Sequence, residues 1–78
     1  MNAFEKIREV IAEECCLDRS AITPHTSFMS LGLDSLETAD LLMQIEEVLA
    51  VDFPHSAALG FIILDDVARY AEHILAKA

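Results

Sequence analysis

The chain has 78 residues, 54% of them apolar, and a mean hydropathy of +0.38. That length suits one small core, and its longest apolar run, Ala57 to Leu64, is far short of the roughly 20 residues that cross a bilayer. Fourteen acidic against five basic side chains give a net charge of −9, which excludes nucleic acid and anionic membrane surfaces as partners.

The opening Met1-Asn2-Ala3-Phe4-Glu5-Lys6 is charged by its fifth residue and has no apolar block behind it, so no secretory signal is expected. Phe4, Ile7, Ile11 and Cys15 recur at a spacing of three and four, which predicts an amphipathic helix over Asn2 to Cys15 with Asn2 as its N-cap. Cys15 shares that stripe as a small core residue, and Cys16 lies about 100° around the axis. Adjacent cysteines on a helix do not reach disulfide geometry, and they lack the spacing and the histidine of a metal site. A reducing, cytoplasmic setting is expected, with no metal.

Asp18 to Gly32 is aperiodic and rich in Ser, Thr, Pro and His, and it reads as a long loop. A loop of that length needs anchors, and Ile22, Phe28 and Leu31 are the candidates. A second helix is expected from about Ser35 to Ala50, ending before Pro54. His55 to Gly60 reads as a short helical turn. Leu64, Val67, Ala68, Ala71, Ile74 and Leu75 then mark a last helix, with Asp65 and Asp66 in its first turn and Lys77 near its end. No repeat and no strand pattern is present. The expectation is an all-α bundle.

The second helix carries two faces. Leu41, Leu42, Ile45 and Leu49 fall within an arc of roughly 100°, as a core stripe should. The other side collects Leu36, Asp40, Met43 and Glu47, with Glu37 and Ala39 at its margins. No cation occurs from Ser20 to Ala68, so a partner meeting this stretch is expected to be basic. Apolar and acidic residues on one face suit a docking surface, although scattered exposed apolar residues are also ordinary. Just upstream, Gly32 permits a sharp turn, and Asp34 or Ser35 can cap the helix. An anion on the Ser35 hydroxyl would sit favourably at the positive end of the dipole.

The segment LGLDSLETADLLMQIEEVL strongly resembles the acyl carrier protein family, whose pattern is Leu-Gly-x-Asp-Ser-Leu at the head of the second helix. Thr26-Ser27-Phe28, Asp52-Phe53-Pro54 and the closing Leu64-Asp65-Asp66-Val67-Ala68-Arg69-Tyr70 extend the likeness over nearly the whole chain. The resemblance implies one carrier domain over 1–78, a bundle of three long helices and one short, and no enzymatic activity of its own. It implies covalent 4′-phosphopantetheine on Ser35, delivered from coenzyme A by a phosphopantetheinyl transferase, with Asp34 as the adjacent acid. It also implies that acyl groups ride as thioesters on that arm. Leu36, Glu37, Asp40, Met43 and Glu47 would then dock basic patches of acyl-transferring and acyl-modifying enzymes. A monomer is expected. Phe28, Ile45, Phe61, Ile62 and Ile63 are candidate lining for an acyl cleft.

The pattern of Asp-Ser-Leu-Glu-Thr-Ala-Asp-Leu looks like freestanding fatty-acid-type carriers. Ser30, the stretch from His55 to Gly60, and Ile62-Ile63 depart from the family's usual acidic or polar choices. A specialised carrier in polyketide or modified-lipid synthesis therefore stands beside the fatty-acid reading. An unmodified helical adaptor, with Ser35 only a cap, is the alternative from another class. His25, His55 and His73 are far apart and read as loop or surface residues, with no catalytic set legible. Asp34, Glu37 and Asp40 step by three without the central glycine of a calcium loop.

Overall fold

The computed structural model describes residues 2–77. Four helices are present: α1 (Ala3–Cys15), α2 (Ser35–Leu49), α3 (His55–Ala58) and α4 (Leu64–Lys77). Three are long and one is a single turn, so the fold is the expected all-α bundle. Asn2 caps α1, its side-chain oxygen accepting the Glu5 N–H at 2.9 Å. Cys16 and Ala50 end α1 and α2 in the left-handed region, at φ 54° and 56°. No glycine does that work here, so each end carries a modest conformational cost.

The core is built where the periodic stripes meet. Ile7, Ile11, Ile45, Leu64 and Val67 are wholly buried, and α1 packs against both α2 and α4. Burial of each such side chain contributes roughly 1.5–3 kcal/mol. The long loop is not featureless. It holds short 3-10 turns at Arg19–Ala21 and Met29–Leu31, and two of its anchors, Ile22 and Phe28, enter the core while Leu31 is half-buried. Three backbone bonds stitch the loop to the start of α4. The Phe28 N–H donates to the Ile62 carbonyl at 3.1 Å, the Leu64 N–H to Thr26 at 3.0 Å, and the Asp65 N–H to Pro24 at 2.9 Å. A single antiparallel bridge pairs Ser27 with Ile63.

Several expectations change. Leu75 is exposed, because no buried residue of α4 follows Ala71. Leu42 is only half-buried, since it packs against the core on one side and borders a surface groove on the other. Ile62 is not cleft lining. Its N–H donates to the Asp66 carboxylate and its carbonyl accepts from Phe28, and its side chain is 68% exposed. Side chains alternate along such an extended pair, so the half-buried Ile63 turns inward as Ile62 turns out. Phe53, Phe61 and Tyr70 close a triangle of edge-to-face rings with centroids 5.3–5.9 Å apart, fastening α3 and its flanks to α4. No helix among the described residues is long and apolar enough to cross a membrane.

Candidate functional site

The head of α2 is set up by two turns. The 3-10 turn Met29–Leu31 ends at Gly32, whose φ of +74° closes it with a bond from the Gly32 N–H to the Met29 carbonyl. That conformation favours glycine. Asp34 then stands extended at φ −80°, ψ 178°, as the N-cap. Its carboxylate accepts the Glu37 N–H at 2.7 Å, and the Glu37 carboxylate accepts the Asp34 N–H at 3.1 Å. This reciprocal pair satisfies donors that would otherwise be orphaned at a helix start. Asp34 is therefore the cap, and Ser35 is left out of it.

Ser35 is the first residue of α2 and is exposed. It opens onto a surface groove of about 460 Å³ lined by Phe28, Leu33, Thr38, Leu42 and Leu59 among others. The groove is largely apolar with a hydroxyl at Thr38. A slender chain with both apolar and hydrogen-bonding parts, attached through phosphate at the positive end of a helix, fits such a place.

The far face of α2 is exposed along its length. Leu36 and Met43 are 73% and 61% exposed, and Glu37, Asp40 and Glu47 lie open beside them. Glu37 is partly committed to the cap, which leaves Asp40 and Glu47 as the uncommitted carboxylates of that face. Glu46, which the sequence reading did not single out, instead folds back to accept the Phe53 N–H at 2.7 Å. Cys15 lies against α2 in a crevice of about 180 Å³ with Leu33, Glu37 and Gln44. Burial first, then the nearby Glu14, Cys16 and Glu37, push its thiol pKa up. A thiol held protonated is a poor nucleophile. His25, His55 and His73 are exposed and separate. Among the described residues no cluster of three or more His, Cys, Asp or Glu could hold a metal ion.

Residues 5–71 match the phosphopantetheine attachment site family. Two acyl carrier proteins of Helicobacter pylori, from strains G27 and HPAG1, are each 38% identical over 73 residues, covering 92% of this chain and 94% of their own. The chain belongs to the acyl carrier protein family. Membership makes it a carrier of acyl intermediates, and 4′-phosphopantetheine is its prosthetic group. The exposed hydroxyl at the head of α2 and the apolar groove beside it agree with that group in size and chemistry.

Proposed function

We propose that Ser35 is the attachment residue and that residues 1–78 form one acyl carrier domain that works in the cytoplasm. The single observation that carries this reading is the division of labour at the head of α2: Asp34 does the capping, so the Ser35 hydroxyl is left exposed beside the groove. When attached, the prosthetic group supplies a flexible arm whose terminal thiol holds acyl groups as thioesters. The chain's own residues position it. Ser35 would bear the phosphodiester at the positive end of α2, the groove residues Phe28, Leu42 and Leu59 would offer the arm an apolar surface, and Asp34 caps the helix start that holds Ser35 in place.

No catalytic group is assigned to this protein; chemistry belongs to the enzymes it visits. Leu36, Asp40, Met43 and Glu47, with Glu37 at the edge, form the face offered to phosphopantetheinyl transferase and to acyl-handling enzymes with basic patches. Charge steering of that kind gives fast encounter without tight retention, which suits a shuttle. A short tether also raises the local concentration of cargo at each enzyme. The free Cys15 and Cys16 accord with a reducing compartment. The chain is read as a monomer, and fatty-acid or related acyl-chain synthesis as its setting.

Incubation with coenzyme A and a phosphopantetheinyl transferase, followed by intact mass, tests the assignment. One adduct that disappears in Ser35→Ala is expected. No adduct, under conditions that modify a control carrier, would return the chain to the unmodified-adaptor reading.

A further inference from the structure

The surface around Ser35 is electrically divided. On one side lies the acidic face of α2. On the other, residues 20–33 and 53–64 contain no Asp, Glu, Lys or Arg at all, in a chain whose net charge is −9. The apolar side chains follow the same division. Among the described residues, the four most exposed large hydrophobics are Met29 (88%), Leu59 (74%), Leu36 (73%) and Ile62 (68%). Met29 and Leu59 line the groove that Ser35 opens onto, Leu36 follows Ser35 directly, and Ile62 is bonded through its carbonyl to Phe28, the neighbour of Met29.

Scattered exposed apolar residues need no explanation, but Met29, Leu59 and Leu36 gathered beside a single hydroxyl, with Ile62 bonded to the adjoining Phe28, do. The cluster is not a by-product of core packing, because Met29, Leu59 and Ile62 contribute little to the core. Nor are their positions loose. The 3-10 turn at Met29–Leu31 closes on Gly32, the Leu59 N–H donates to His55 at 3.1 Å, and both N–H groups of Ile62 and Ile63 are held by Asp66. Pre-set apolar groups lose little freedom on being covered.

We propose that Met29, Leu59 and Ile62 form a second docking surface for the enzyme that acts at Ser35, and that this enzyme presents two unlike surfaces around its active-site mouth. Cations face Asp40 and Glu47 on α2. An uncharged apolar ledge faces the rim, where the nearby carboxylates of Asp34 and Asp66 are already committed to backbone N–H groups and a cationic patch would be desolvated with little compensation. The occupant is thus a protein surface, reached in continuity with the α2 face. The inference rests on Ser35 being the attachment residue and deepens that reading by naming what selects the partner.

The phosphopantetheinyl transferase that modifies the wild-type chain is the probe, with coenzyme A as co-substrate and adduct formation followed by intact mass. A Met29→Ser, Leu59→Ser, Ile62→Ser variant keeps every charge and changes only exposed side chains. Its far-ultraviolet circular dichroism should match the wild type. We expect KM for the carrier to rise about tenfold at little change in kcat, while the dependence of rate on salt stays as in the wild type. An Asp40→Lys, Glu47→Lys variant should instead flatten the salt dependence. Wild-type KM in the folded rim variant would overturn the second surface and leave the Ser35 assignment standing. A lost salt dependence in the rim variant would overturn it as well, since the rim would then be acting through charge. Absence of any adduct on the wild-type chain would instead remove the Ser35 assignment itself.

Discussion

The carboxylate of Glu46 reaches seven residues ahead to accept the backbone N–H of Phe53 at 2.7 Å. It pins the segment between α2 and α3, and Phe53 then packs its ring on Phe61 and Tyr70. Glu47, the next residue along, is exposed and has no such task. Neighbouring acids in one sequence pair thus serve different ends.

Glu46→Ala should therefore lower stability by about 1–2 kcal/mol, the cost of leaving a part-buried N–H without its charged acceptor. Glu47→Ala should stay within about 0.5 kcal/mol of the wild type. Urea unfolding of the two variants checks this, and equal losses would refute the division.

The head of α2 gives a second contrast. Asp34→Ala removes the side-chain half of the reciprocal cap and should cost about 1 kcal/mol. Ser35→Ala should leave the midpoint nearly unchanged, because Ser35 does not cap. A larger loss in Ser35→Ala than in Asp34→Ala, by thermal or chemical unfolding, would mean that the serine and not the aspartate holds the helix start.

For docking, Asp40→Lys with Glu47→Lys should slow a cognate enzyme's turnover at low ionic strength, by roughly tenfold for two reversed charges. The deficit should shrink as salt is raised, because exposed charges are screened over about 10 Å at 0.1 M. Unchanged kinetics at low salt would count against that face of α2.

Acid stability carries a further prediction. The N–H groups of Ile63 and then Ile62 donate to the Asp66 carboxylate and hold its pKa below the ordinary value. The folded value is the lower one, so its stabilisation is complete above the unfolded carboxylate value of about 3.9 and is lost as pH falls through the folded value. Asp66→Asn should be less stable than the wild type at pH 7, by about 1 kcal/mol. The gap should shrink as pH falls through that lowered folded value, where the wild-type side chain also becomes neutral. A gap that persists at pH 2 would place its origin elsewhere.

Much of the site could be read from residue order because it is local. Asp34, Ser35 and Leu36 adjoin, and the step from Asp34 to Glu37 is the spacing of a reciprocal cap. That spacing was the available signal for choosing Asp34 over Ser35 as the cap. The exposed α2 face followed from the helical period alone, since Leu36, Asp40, Met43 and Glu47 could not share a side with Leu41 and Ile45. Glu46 was not legible in this way: its partner is seven residues off, beyond the helix end, and nothing in the period distinguishes it from Glu47. Leu75 misled for a related reason, and Leu42, which packs against the core but is only half-buried, did so in part. Each has the right phase for burial, but Leu42 borders the groove and Leu75 follows the last buried residue of α4.

What the amino-acid order determined by itself is the set of helices, their inward stripes, and the exposed serine at the start of the second, because caps and periodicity act within a few residues. What only the folded chain decided is which loop segments come to stand around that serine. Phe28 and Met29 meet Leu59 and Ile62 through bonds and packing between stretches some thirty residues apart. Such contacts depend on how the helices close on one another, and no local pattern encodes that.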